Sequence, residues 1–143
     1  MNVDRVNTAK SLFESGYNCA QAVFLAFADL YNVPQNIAKN ITMSLGRGMG
    51  GLKQTCGAVT ALFLLAGLEN ADENLSNREN VSSTYALIKK LSEKLVEQNG
   101  DIMCGKLLEL NKAKRRTCSN IVEETARIWN ILKTRKIKSI YAI

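Results

Sequence analysis

The sequence predicts an all-α fold, a single-domain compact bundle of about five to seven helices. Its 143 residues include only one proline and nine glycines, and so few helix breakers leave room for long helices. Apolar residues recur at helical spacing through most of the chain, and no segment alternates with the period of a strand. No Pro-, Gly- or Ser-rich linker divides residues 1–143, so we expect one domain.

The first two helices are separated by the polar segment ESGYN at residues 14–18. Apolar residues at helical spacing from Val3 to Phe13 predict helix one. Asn18 is a favourable N-cap, and the apolar segment behind it, residues 19–31, is typical of a helix buried at the centre of a bundle.

The middle of the chain predicts two helices on either side of a glycine-rich turn. Residues 32–45 carry the only proline near their start, which favours a short third helix. The turn then runs to Thr55, which we expect to cap a fourth helix ending near Gly67. Residues 69–80 are polar and are expected to form a loop.

Three more helices complete the predicted bundle. A long amphipathic helix covers residues 81–95 and stops at the Asn-Gly pair, residues 99–100, a usual left-handed helix end. A short helix over residues 101–110 is predicted to be capped by Asp101. The last helix is predicted to begin near residue 117 or 118.

The net charge of +6 comes mainly from the last third of the chain, from Lys112–Arg116 and Lys133–Lys138. Such clusters can attract nucleic acid, an acidic partner or anionic lipid. These clusters are short and have no interleaved aromatic residues to stack on bases, which favours a solvated basic surface over nucleic-acid binding.

The ends and apolar runs of the chain predict a cytoplasmic protein. The N-terminal residues lack the basic and apolar regions of a signal peptide, and the longest apolar run, Gly57–Leu68, is too short to be a transmembrane segment. Cysteines in the cytoplasm are kept reduced, so their presence indicates metal-binding, catalytic or redox-sensing roles more readily than structural disulfides.

The cysteines share a position in the predicted elements, since each lies at the start of a helix. They are Cys19, Cys56, Cys104 and Cys118. Free N–H groups and the helix dipole lower the pKa of a thiol at such a site, so all four are candidate catalytic residues. Each also lies on the apolar face of its helix, so the four thiols could meet inside a bundle. The alternative for any one of them is a small side chain that fills core space.

Two chemistries fit four converging thiols. Pairs of thiols could exchange between dithiol and disulfide. Alternatively, the four thiolates could bind zinc or an iron–sulfur cluster, because the chain has no histidine and cysteine is its only soft ligand. No CxxC motif is present, so metal ligands would come from separate helices, and three disulfide connectivities stay open.

The glycine-rich turn contains a GxGxxG pattern at Gly46, Gly48 and Gly51, and Glu69 lies at about the distance of the acidic residue in a dinucleotide-binding fingerprint. That fingerprint needs a strand before the glycines, and the sequence predicts none there. A nucleotide site is therefore disfavoured.

A simpler anion site is also consistent with this turn. Its candidate residues are Gly48, Gly50, Gly51, Arg47 and Lys53. Exposed N–H donors and two cations at a helix start could bind phosphate, sulfate or a carboxylate. The alternative is that the glycines only permit a sharp turn and close helix packing, with the N–H groups near Cys56 stabilising a thiolate instead.

Several of these segments together resemble a known family. They are GYNCAQAV at 16–23, the glycine-rich turn, CGAVTA at 56–61 and the single cysteines at 104 and 118. This pattern resembles the bacterial and archaeal C_GCAxxG_C_C family of redox-active proteins over nearly the whole chain. Ala61 stands where the family motif has its final glycine, which relaxes close packing at that point.

The resemblance implies thiol-based redox chemistry at the family's four cysteines, which are Cys19, Cys56, Cys104 and Cys118 here. It also implies a redox partner protein or a membrane transporter as partner, because family members often lie near transporter genes. It names no substrate.

Our leading interpretation is an all-α redox protein that performs thiol/disulfide or electron-transfer chemistry as a thiol-based oxidoreductase. Cys19 and Cys56 are its expected reactive thiols, and Cys104 and Cys118 are an expected second pair. A zinc or iron–sulfur binding module built from the same four cysteines is the alternative. A basic helical protein that binds nucleic acid or anions is the third hypothesis.

Overall fold

The computed structural model describes residues 4–135, and within them the chain is an all-α bundle. The helices are α1 (Arg5–Glu14), α2 (Cys19–Leu25), α3 (Gln35–Thr42), α4 (Gly46–Met49), α5 (Gly57–Asn70), α6 (Asn77–Asn99), α7 (Cys104–Lys114) and α8 (Cys118–Thr134). α4 is a single distorted turn with non-helical backbone angles inside it. The other seven helices confirm the predicted fold class, and the described residues contain no strand.

α2 and α5 form the centre of the bundle. α2 packs against α1, α3, α5 and α8, while α5 also packs against α6 and α8. Every residue of α2 after Cys19 is buried. The largest fully buried side chains include Phe24 of α2, Leu62 of α5 and Trp129 of α8. The prediction that the second helix lies at the centre of the bundle is therefore confirmed.

α2 is shorter than the predicted helix over residues 19–31. It ends at Leu25, and a 3-10 turn follows at Ala28–Tyr31. At the break, the Arg5 guanidinium donates a hydrogen bond of 2.9 Å to the carbonyl of Ala26. That carbonyl would otherwise accept from the next turn of an α-helix, so a contact with α1 takes the place of a helical hydrogen bond.

Two predicted helix caps are wrong by one or two residues. Cys56, not Thr55, occupies the N-cap position of α5, and Met103, not Asp101, occupies that of α7. The Asp101 carboxylate instead accepts hydrogen bonds from the N–H groups of Ile102 and Met103, at 2.7 and 2.9 Å. Asp101 therefore stabilises the turn before α7 rather than the helix end.

The polar loop is also shorter than the predicted segment 69–80, because α5 runs to Asn70 and α6 begins at Asn77. Ser76 caps α6 in a capping box with Glu79, which satisfies N–H groups that a loop would leave to water. The predicted end of α6 is confirmed, since Gly100 follows it with a φ of 94°.

The basic clusters lie at the surface or outside the described residues. Lys112–Arg116 covers the end of α7, where Arg116 pairs with Glu124 at 2.7 Å. Lys133 belongs to α8, while Lys136 and Lys138 lie outside residues 4–135. None of the helices in the described part of the chain is both long and apolar enough to cross a membrane.

Candidate active site

The glycine-rich turn folds back on itself between α3 and α5. The N–H groups of Gly51, Lys53 and Gln54 donate to the carbonyls of Gly46, Arg47 and Gly48, at 3.2, 3.1 and 3.0 Å. Positive φ angles occur at six positions of the turn: Arg47, Gly48, Met49, Gly50, Gly51 and Lys53. Three of these are glycine, which tolerates the left-handed conformation, so the segment can form a compact loop instead of a helix.

The end of this turn pairs with the residues that precede α7. The Cys56 N–H donates to the Ile102 carbonyl at 2.8 Å, and the Cys104 N–H donates to the Gln54 carbonyl at 2.6 Å. An isolated antiparallel bridge joins Thr55 and Met103 between them. Two cysteines 48 positions apart in the sequence, Cys56 and Cys104, are thereby held on adjacent segments.

All four predicted site cysteines line one cavity of about 650 Å³. Cys19, Cys104 and Cys118 are the first residues of α2, α7 and α8, and Cys56 precedes the first residue of α5. Cys56 is buried, while the other three are partly exposed, and all four are free thiols. Four helix starts therefore bring the thiols to a single space.

Cys19 is the sulfur best placed to carry a negative charge. A hydrogen bond from the Cys56 side chain is the largest cause that lowers the pKa of Cys19 to about 6, against burial, which raises it. Hydrogen bonds from the backbone N–H groups of Arg47, Ala58 and Ala20 act in the same direction as Cys56. The donors come from the glycine-rich turn and from the starts of α5 and α2, so the tertiary structure assembles them around one sulfur.

The pKa of Cys56 moves in the opposite direction. Its hydrogen bond to Cys19 and its burial raise the pKa of the Cys56 thiol well above 9.0, and the negative charge of Cys19 adds to this effect. The two thiols therefore share one proton over a wide pH range, with the proton on Cys56 and the charge on Cys19.

Cys104 and Cys118 stay protonated at neutral pH. Burial raises the pKa of both thiols, and the charge of Cys19 raises it further. The Cys118 sulfur also accepts a hydrogen bond of 3.9 Å from the side-chain amide of Asn111. The expectation that every cysteine at a helix start would have a lowered pKa is thus wrong for three of the four. Desolvation and a neighbouring thiolate outweigh the helix terminus at those three positions.

Two glycines leave the space that this arrangement needs. A Cβ atom on Gly57 would lie 2.5 Å from the Cys19 sulfur and 2.8 Å from the Leu45 carbonyl oxygen. A Cβ atom on Gly48 would lie 2.7 Å from the Cβ of Cys104. The two glycines therefore allow the turn and α5 to approach the cysteines closely. This agrees with the alternative interpretation, in which the glycines of the turn permit a sharp bend and close packing.

Only some of the predicted anion-binding residues line the cavity. Arg47, Gly51 and Lys53 line the same cavity as the cysteines. Gly48 is packed against Gln54 and Cys104, and Gly50 is exposed. Since the Arg47 N–H group is directed to Cys19, the turn stabilises a thiolate of the protein itself. An external anion at these residues stays a prediction.

The zinc or iron–sulfur interpretation needs several ligands close together. Within residues 4–135, no three His, Cys, Asp or Glu side chains form a group that could hold a metal ion. Metal binding by Cys19, Cys56, Cys104 and Cys118 therefore stays a prediction.

Sequence reasoning identified Asn18 as the N-cap of α2 but missed its partner Gln21, and the two residues together fix the position of Cys19. Asn18 and Gln21 form a capping box at the start of α2. The Asn18 side chain also donates to the Met43 carbonyl at 2.9 Å, and that of Gln21 donates to the Lys39 carbonyl at 3.1 Å. The spacing of an N-cap residue and a glutamine three positions later signals such a box. The contacts to α3 and Met43 have no sequence signal.

The comparison with protein families agrees with this geometry. The family model described as "Putative redox-active protein (C_GCAxxG_C_C)" matches residues 17–132, a range that includes every cysteine of the site. The chain belongs to this family. The comparisons found no significant match among the curated proteins or the solved structures. The family description gives redox activity without a substrate or a mechanism, so these must be argued from the site.

Proposed function

We propose that this protein is a thiol–disulfide oxidoreductase in which Cys19 is the attacking thiol and Cys56 is the resolving thiol. The observation that carries the proposal is the position of Cys19 and Cys56 on one cavity, where Gly57, the residue after Cys56, approaches the Cys19 sulfur so closely that a Cβ atom would lie 2.5 Å from it. The pKa of Cys19 is lowered to about 6 and that of Cys56 is raised, each chiefly through a side-chain interaction with the other. A low-pKa thiolate beside a protonated partner is the arrangement that thiol–disulfide exchange requires.

The first step is attack by the Cys19 thiolate on one sulfur of a substrate disulfide. A new S–S bond forms between Cys19 and that sulfur, the substrate S–S bond breaks, and the other sulfur leaves as a thiolate that takes a proton from water. The partly exposed position of Cys19 on the cavity wall allows a substrate sulfur to approach it.

The second step follows from the loss of charge at Cys19. In the mixed disulfide, Cys19 no longer holds the negative charge that keeps Cys56 protonated, so the pKa of Cys56 falls. Cys56 then loses its proton to solvent and attacks the Cys19 sulfur, which releases the second substrate thiolate. Overall, two thiols of the protein become one disulfide and one substrate disulfide becomes two thiols.

Cys104 and Cys118 are proposed to be a second pair that exchanges with the first. Both thiols line the cavity that holds Cys19 and Cys56, and a thiolate at Cys104 would raise the pKa of Cys118, so that only one of the two would be ionised at a time. Attack by Cys104 on the Cys19–Cys56 disulfide, followed by attack of Cys118 on Cys104, would move the disulfide to the second pair. Turnover then needs an external dithiol reductant, for which we propose a redox partner protein.

Trapping of the mixed disulfide tests the assignment. Cys104 is replaced by serine throughout this test, because it could otherwise attack a disulfide at Cys19. Reduced Cys56→Ser/Cys104→Ser protein treated with a small disulfide should accumulate one adduct on Cys19, whereas Cys104→Ser alone should form an internal Cys19–Cys56 disulfide. Cys104→Ser/Cys118→Ser is the matched control and should form the same internal disulfide. Mass spectrometry of digested protein identifies the products, and an adduct on Cys118 in place of Cys19 would contradict the mechanism.

Metal analysis separates this function from the metal-binding alternative. Protein purified without oxygen should contain neither zinc nor iron in proportion to the chain, and all four thiols should react with a thiol reagent. Stoichiometric metal that disappears on substitution of any one cysteine would support the zinc or iron–sulfur module instead.

A further inference from the structure

The cavity wall away from the sulfur atoms indicates which kind of ligand the cavity could bind. Its volume of about 650 Å³ lies within the range of small-molecule sites. The remaining wall is largely apolar and aromatic, with side chains from Phe13, Tyr17, Leu107, Leu108, Ile121 and Val122. A ligand with an apolar body could therefore bury much of its surface beside the cysteines.

Two cations add a charge preference to this wall. Arg47 and Lys53 line the cavity and no carboxylate does so among the described residues. Both cations are exposed, and neither forms an ion pair with a carboxylate within residues 4–135. Both residues lie in the turn with left-handed backbone conformations, with a φ of 52° at Arg47 and 59° at Lys53. Their charges are thus available to a ligand in the cavity.

Building on the proposed function, we infer that the substrate is a low-molecular-weight disulfide that carries a carboxylate or another anionic group, not a disulfide in a protein. One end of such a molecule meets Arg47 and Lys53, its carbon chain lies on the apolar wall, and its S–S bond lies against Cys19. Cys56 is only 7% exposed, so the attack by Cys56 takes place inside the cavity. A small molecule can enter this space more easily than a segment of a folded protein. The anionic group adds attraction without changing the sulfur chemistry.

Single-turnover kinetics with three small disulfides tests this inference. The fully reduced protein is mixed with dithiodipropionate, hydroxyethyl disulfide or cystamine, which are anionic, neutral and cationic. Each rate is divided by the rate of the same disulfide with dithiothreitol, which removes differences in intrinsic reactivity. The normalised rate of the anionic disulfide should exceed that of the neutral one by about two- to thirtyfold, the range for two exposed ion pairs, and cystamine should be slowest.

The charge preference should depend on the two named cations. Arg47→Gln/Lys53→Gln should bring the three normalised rates together, while Arg78→Gln/Lys89→Gln, which removes the same charge from α6, should keep the wild-type order. If the first variant fails to fold, the wild-type protein still provides a test, because the preference should decline as salt is raised toward 1 M.

The outcomes separate the two proposals. Equal normalised rates for the three disulfides, or faster reduction of insulin than of dithiodipropionate, would overturn the small anionic substrate and leave the oxidoreductase in place. Failure of the reduced protein to consume any of these disulfides would overturn both.

Discussion

The hydrogen bond from Cys56 to Cys19 predicts a distinctive pH profile of reactivity. This bond is the largest cause that lowers the pKa of Cys19 from 9.0 to about 6. Replacing Cys56 by alanine removes the donor, whereas replacing it by serine keeps a hydroxyl that can donate. We therefore expect the Cys19 profile to inflect near pH 6 in Cys56→Ser and at clearly higher pH in Cys56→Ala.

The size of the effect depends strongly on pH. At pH 5, a thiol with a pKa of about 6 has about 900 times the thiolate fraction of a thiol with a pKa of 9. A thiolate of lower pKa is also a weaker nucleophile, and a Brønsted slope of about 0.4–0.5 over three pKa units reduces the advantage by about 16- to 32-fold. The net acceleration of Cys19 over an ordinary thiol is then about 30- to 60-fold at pH 5, and it disappears by about pH 8.

The assay follows release of the chromophore from a neutral pyridyl disulfide between pH 4 and pH 10. Both variants also carry Cys104→Ser and Cys118→Ser, so no thiol is left to resolve the adduct, one chromophore is released from Cys19, and mass spectrometry confirms the site. Rates are divided by those of N-acetylcysteine at the same pH, which cancels protonation of the reagent. Identical profiles in the alanine and serine variants, or a relative rate near 1 at pH 5, would refute the role given to Cys56.

Three further predictions concern the fold around the site. Gly57→Ala should lower the free energy of unfolding by about 1–3 kcal/mol in urea titrations, because the new Cβ atom would lie 2.5 Å from the Cys19 sulfur. Gly67→Ala is the control in the same helix: its Cβ atom would meet nothing within 4 Å, and it should be neutral or stabilise by up to about 1 kcal/mol. Equal losses in the two variants would contradict the steric argument. The free energy of unfolding of the reduced protein should rise with pH between about 6 and 9, because Cys19 keeps its proton in the unfolded chain but has lost it in the folded one. This contribution should be lost as pH falls through about 6. Urea titrations of Cys19→Ser across the same pH range should lack this slope. Tyr31→Phe should destabilise the fold by about 1–3 kcal/mol, since its hydroxyl donates to Glu69, whose side chain is only 10% exposed; an unchanged thermal midpoint would show that water replaces the hydroxyl.

The sequence by itself determined the fold class and the position of the cysteines at helix starts. Helical periodicity and capping residues are local properties, so they predicted the bundle, the buried second helix and the start of α8 after Thr117. The apolar faces of the helices also predicted that Cys19, Cys56, Cys104 and Cys118 could meet, and all four line one cavity. The exceptions are the exact caps of α5 and α7, where long-range pairing of residues 54–56 with 102–104 overrides the local preference of Thr55 and Asp101.

Only the tertiary structure decided which thiol is acidic. Every cysteine lies at a helix start, yet only Cys19 has a lowered pKa, with donors from Cys56, from Arg47 in the turn and from Ala58 in α5 as well as from its own helix. Cys19 and Cys56 are 37 residues apart, and their contact depends on the absence of a side chain at Gly57 and on the fold of the glycine-rich turn. The pKa of a group depends on its burial and on every charge and hydrogen-bond donor around it. Around Cys19 these groups belong to segments that are distant in the sequence and that only folding brings together.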